Sequence, residues 1–94
     1  MDVEFDPAKD AANILKHGVS LAFGAALFAD PAHIVFASAR PIDGEDRFKV
    51  IGLVDNRLWT AVHVYRGAAI RFISVRRSND GEHGIYRGDR GRSR

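Results

Sequence analysis

Between residues 47 and 77 the chain reads RFKVIGLV, DN, RLWTAVHVYR, GA, AIRFISVRR. Three segments rich in β-branched and aromatic residues are separated by only two residues each. Connectors this short force neighbouring strands to run antiparallel, so the centre of the molecule is a β-meander. HIVFASA at 33–39 reads as a further strand, joined to the meander by the polar loop ARPIDGED, where Pro41 and Gly44 break regular structure.

Upstream of the sheet, VEF at 3–5 is a short strand and DPAKDAANILKHG carries helix punctuation. Asp6 caps the free N–H groups, Pro7 suits the first turn and Gly18 closes the helix, which spans 7–16 with Ala8, Ala12 and Leu15 as its apolar side. Ser20 caps a second helix, LAFGAALFAD, ended by Asp30 and Pro31. Two helices ahead of a meander give an α+β fold with helices packed on one sheet face.

A chain of 94 residues sustains one core. The domain is expected over residues 1–86, with 87–94 a flexible basic tail whose RGD triplet is chance. Gly81 and Gly84 leave room for a turn or two of helix around Glu82 to Tyr86. The longest apolar run, LAFGAALFA, is far short of the roughly 20 residues that span a bilayer, and the acidic start MDVEFDPAKD is unlike a secretory signal. With no cysteine there is neither a disulfide framework nor a thiolate zinc site, and a soluble cytoplasmic protein is expected. The four histidines lack a close metal-ligand spacing, so no metal or other cofactor is expected.

The net charge of +2 conceals an asymmetry. Up to Asp46, eight acids face three bases, giving −5; from Arg47 onward, eleven bases face four acids, giving +7. A basic half points to a polyanion or an acidic partner. Eleven of the fourteen bases are arginine, whose planar fork suits phosphate and carboxylate oxygens. Simple alternation sets Arg47, Lys49, Ile51 and Leu53 on one face of their strand, and Phe72, Ser74 and Arg76 opposite Arg71, Ile73, Val75 and Arg77 in the last. No strand is cleanly amphipathic, so both sheet faces are partly covered.

Two runs carry a resemblance: N-x-x-KHG-V-S (Asn13, Lys16, His17, Gly18, Val19, Ser20) and I-R-x-I-S-x-R-R (Ile70, Arg71, Ile73, Ser74, Arg76, Arg77), with Glu82 and Tyr86 following at E-x-x-x-Y spacing. Over residues 4–86 the chain resembles the BrnT family of bacterial toxins, members of type II toxin–antitoxin pairs with a RelE-like ribonuclease fold. Asn79, Asp80, Gly81, His83 and Gly84 depart from the basic, helix-forming residues usual there. The resemblance implies an endoribonuclease that arrests translation. It implies neutralisation by a BrnA-like antitoxin with a ribbon-helix-helix part, operator DNA being met only through that complex. A homodimer within the complex stays open.

RNA carries its own nucleophile, the 2′-OH, so cleavage requires a base, cations around the phosphorane and an acid for the leaving oxygen, without a metal. Arg71 and Arg76 are assigned to the phosphate, assisted by Arg47 or Lys49, with Lys16 and Arg77 as further RNA contacts. His17, His63 and Glu82 are the proton-transfer candidates, His17 first because imidazole titrates near neutral pH. Tyr86 stacks on a base or orients the phosphate. Each has a plainer reading: His17 as a helix-end residue, His63 as a packed strand residue, Glu82 and Tyr86 pairing with Arg77 and closing the core, Arg47 bridging to Asp43, Glu45 or Asp46. The rival function is a catalytically degenerate binding module whose arginines grip an acidic antitoxin segment. Direct DNA binding is disfavoured, because no helix carries a base-reading basic face.

Overall fold

The computed structural model describes residues 1–38 and 44–88. Much of the ARPIDGED loop, the end of HIVFASA and the tail beyond Gly88 lie outside the described residues. The order is β1 (Asp2–Glu4), α1 (Pro7–His17), a 3₁₀ turn (Leu21–Phe23), α2 (Gly24–Leu27), β2 (Ile34–Ala37), β3 (Phe48–Val54), β4 (Arg57–Arg66), β5 (Ala69–Arg77) and α3 (Asp80–Tyr86). The five strands form one sheet in the order β1-β5-β4-β3-β2. Four of them run antiparallel as the two-residue turns dictate, while β1 joins β5 in parallel, making the sheet mixed. No helix among the described residues is long and apolar enough to cross a membrane.

The β3–β4 turn places Asp55 and Asn56 at φ 50° and 67°, the paired left-handed conformation of a type I′ hairpin whose twist matches its strands. Against one face of the meander, Leu21 and Leu27 from the helical layer bury Val50, Ala61, Ile70, Phe72 and Val75. The close approach is set at Gly52, where a Cβ would come within 2.5 Å of the Leu27 carbonyl oxygen. LAFGAALFAD is thus one 3₁₀ turn and one α turn rather than a single helix. Ser20 precedes it without a side-chain cap bond; the carboxylate of Asp10 instead accepts from Leu21 N at 2.7 Å.

Helix α1 docks differently from its expected apolar side. Ala8 and Ala12 are exposed and Leu15 is 90% exposed, while Asn13 is the buried residue of the helix. Parallel pairing with β1 covers β5 only at Ala69 to Arg71, leaving the rest of that edge without a neighbouring strand among the described residues. The Asn13 amide fills the position: Nδ2 donates to Val75 O at 2.9 Å and Oδ1 accepts from Val75 N at 3.1 Å, and Nδ2 also donates to Val19 O at 2.9 Å. A primary amide presents the same donor and acceptor as a peptide, so it continues the ladder by one unit. Burial of backbone polar groups, not of apolar area, therefore positions this helix.

Strand β5 also departs from simple alternation. Val62 pairs with Ser74 and His63 with Phe72, so Ile73 is the extra residue of a β-bulge. Beyond it the faces exchange: Ile70, Phe72 and Val75 all point into the core, and Arg71, Ser74 and Arg76 share the opposite face, across from Val64, Val62 and Thr60. The two arginines assigned to opposite faces by alternation lie on one.

His63, fully buried beside the bulge, packs among Phe28, Phe48, Tyr65 and Phe72 with ring centroids 5.2–6.1 Å away. Its Nε2 lies 3.4 Å from Tyr65 Oη, and burial pushes its pKa down from 6.5 to about 4. It is a packed strand residue, held away from solvent. Because the folded form resists protonation while the unfolded chain accepts it, stability is complete above pH 6.5 and falls as pH drops toward 4, by roughly 3 kcal/mol. In His63→Phe this window should vanish from plots of urea-unfolding free energy against pH; an unchanged slope between pH 6.5 and 4 would refute the assignment.

Candidate functional site

Residues 79–82, NDGE, build the site's anchor. Asn79 Oδ1 accepts from Glu82 N at 2.9 Å and Glu82 Oε1 accepts from Asn79 N at 3.0 Å, a reciprocal capping box. It nucleates α3 despite Gly81 and Gly84, giving two turns of helix on the sheet face opposite α1 and α2. The box also fixes the Glu82 carboxylate, 4% exposed, above the sheet.

Arg76 meets that carboxylate in a two-pronged pair, Nη1 to Oε1 and Nη2 to Oε2, each 2.8 Å. Thr60 Oγ1 donates to Oε1 at 2.9 Å while sharing a 2.8 Å hydrogen bond with Ser78 Oγ, and Lys49 Nζ approaches Oε2 at 3.5 Å. Desolvation works to raise the Glu82 pKa, but the hydrogen bonds from Arg76, Asn79 and Thr60 outweigh it and hold the group at about 2. Its hydrogen bonds to Glu82, helped by the carboxylate's charge, raise the Arg76 pKa against its own desolvation. Glu82 therefore pairs with Arg76, not Arg77, and is ionised across the physiological range.

The other candidates spread around this cluster. Arg71 lies on the same sheet face with Nη1 3.3 Å from Glu4 Oε1 of β1. Arg77 stacks its guanidinium over Trp59, 5.6 Å from the ring centroid. Arg47 precedes β3, where its carbonyl accepts from Ser38 N at 2.8 Å; Glu45 meets Arg66 at 3.6 Å. Lys16 and His17 line a shallow groove between α1 and β5 with Lys9, Asn13, Ile73 and Ser74, away from the Glu82 carboxylate. Tyr86 Oη donates to Asp30 Oδ2 at 2.6 Å, which pushes the phenol up to about 12.

Asp30 was legible only as a helix terminator, yet it ties three elements together. Its Oδ2 also accepts from Leu53 N at 2.8 Å, where β3 extends beyond the end of its pairing with β2, and its Oδ1 accepts from Ala32 N at 2.9 Å. Desolvation pulls its pKa upward, but the bonds from Tyr86, Leu53 and Ala32 leave it below its ordinary value. Beside this clamp, a cleft of about 360 Å³ opens between α3 and the β3–β4 hairpin, lined by Asn56, Arg57, Arg77, His83, Tyr86 and Arg87 with Leu53 and Leu58 at its floor. Arg57, His83 and Arg87 carried no motif in the sequence. Among the described residues, no three His, Cys, Asp or Glu side chains gather in a metal-binding group.

The molecule is a small α+β domain with α1 and α2 on one face of a mixed sheet, and with α3, Arg71 and Arg76 on the other. The chain matches, over residues 5–82, the family model described as the ribonuclease toxin BrnT of type II toxin–antitoxin systems, and it belongs to that family. No curated protein matches it. As a member of a type II toxin family it has an antitoxin partner.

Proposed function

We propose that this toxin is a metal-independent endoribonuclease that cleaves RNA through attack by the substrate's own 2′-OH, and that it arrests translation in the cytoplasm. A BrnA-like ribbon-helix-helix antitoxin silences it, and operator DNA is met only through that complex. The observation that carries this reading is the fixed guanidinium of Arg76. A cation oriented before substrate arrives needs no reorganisation as charge develops on the phosphorane. Glu82 engages one edge of the fork, leaving other donors for phosphate oxygens. Arg71, Arg47 and Lys49 add positive charge around it. In this reading Glu82 positions Arg76 rather than accepting a proton, because a carboxylate held at about 2 is a weak base. His17, which lines the groove that also includes Ser74, is the proton-transfer group of this reading.

Induction of the chain alone should arrest growth and generate new RNA 5′ ends. Arg76→Ala should lower cleavage about 100-fold or more, the scale for loss of one preorganised donor. Since alanine also strips Glu82 of its partner, Arg76→Lys serves as the variant that keeps a charge but loses the fork; it should fold and still be strongly impaired. A binding module without catalysis is favoured by one observation, that Arg71 and Arg76 already face carboxylates. It predicts normal growth and intact RNA at confirmed expression of the unaltered chain.

A further inference from the structure

We infer that the cleft between α3 and the β3–β4 hairpin is a subsite for a phosphate and base of single-stranded RNA flanking the cleaved bond; this rests on the ribonuclease reading and gives it a substrate class. The cations best placed to bind an anion are those not already neutralised. Arg71 faces Glu4 and Arg76 faces Glu82, and the Arg77 guanidinium is taken up over Trp59, whereas Arg57 and Arg87 have no carboxylate partner among the described residues. Both line this one cleft, and no acidic side chain lines it with them.

The cleft also holds what an acidic peptide would not need. The Tyr86 ring stands in its wall with the hydroxyl tethered to Asp30, so the ring is fixed in place. The imidazole of His83 and the amide of Asn56 complete a rim of planar and hydrogen-bonding groups. A fixed aromatic face beside unpaired guanidinium groups is the combination that stacks a base while holding its phosphate. At about 360 Å³ the cleft accommodates one nucleotide-sized group. The helix that supplies His83 and Tyr86 to the cleft is the one that carries Glu82, the partner of Arg76.

The test uses the full chain and a fluorescent oligoribonucleotide with 2′-O-methyl sugars, which binds but cannot be cut. Anisotropy titrations compare the unaltered protein with Arg57→Ala/Arg87→Ala and with Tyr86→Leu, thermal melts serving as the folding control. The double variant should bind at least about tenfold more weakly, with its log K versus log salt slope reduced by about 1.4, the release expected for two single-strand phosphate contacts. Tyr86→Leu should weaken binding by a similar factor with no change in slope, because stacking releases no counterions. Unaltered affinity in the folded double variant would overturn the subsite while leaving the ribonuclease reading intact. Failure of the unaltered protein to bind would overturn both. Loss of antitoxin capture with RNA affinity retained would assign the cleft to the protein partner and overturn the proposal.

Discussion

Asn13→Asp should lower the stability of the folded domain by about 3–5 kcal/mol, enough to unfold a large fraction of a marginally stable chain. The side chain is buried and its Nδ2 donates to the carbonyls of Val19 and Val75. Aspartate is close in shape but has no hydrogen to give, so it sets a charged oxygen against those two carbonyl oxygens in a site that excludes water. Asn13→Ala should be milder, about 2–3 kcal/mol, because it leaves buried groups unsatisfied without adding charge. Urea unfolding at neutral pH checks both, the midpoint shifting with an unchanged slope. An aspartate variant as stable as the original would show that the amide does not hold the sheet edge.

Glu82→Gln carries the second large effect. Below its ordinary pKa of 4.5, the unfolded carboxylate binds a proton that the folded one refuses until about 2. The sign follows: this stabilisation is complete above pH 4.5 and is lost as pH falls from 4.5 toward 2, amounting to about 3 kcal/mol. Glutamine should therefore cost about that much at neutral pH, and the difference between variant and original should close across the same acid window. This window overlaps that of His63 only near pH 4 to 4.5, so the two are separable on one titration. RNA cleavage should fall as well, since a neutral amide cannot hold the fork of Arg76 by two charge-assisted bonds. Equal stability at pH 7 together with full toxicity would exclude the positioning role.

The meander was readable because its signal is local: β-branched segments, a DN turn and a GA turn fix strands β3, β4 and β5 within a residue or so of their observed limits. Helix α1 was found for the same reason, through Asp6, Pro7 and Gly18, the last at φ 80°. Its docking face was not, because Ala8, Ala12 and Leu15 mark an apolar stripe while the sheet edge demands a hydrogen-bonding group. Nothing in the sequence shows that β5 outruns its neighbour. In the site, Arg76, Glu82 and Tyr86 were visible as candidates, but their partners depend on a bulge at Ile73 and on contacts spanning distant positions, as between Tyr86 and Asp30. Arg57 and Arg87 of the cleft were invisible for a related reason: pairing is a property of the fold, not of the residue.

The bulge makes the surface charge of this domain depend on a residue count. Were Ile73 taken into the ladder as a regular residue, no charge would be removed, yet every later side chain of the strand would change sides, sending Arg76 toward Leu21 and Leu27 and Val75 to the opposite face. Shortening the following loop could not repair it. The odd spacing of five between Arg71 and Arg76 thus works as a reading frame that only the bulge corrects: losing Ile73 together with the bulge would leave both arginines on one face, whereas ironing out the bulge with Ile73 still in place would erase the site while seeming to improve the strand.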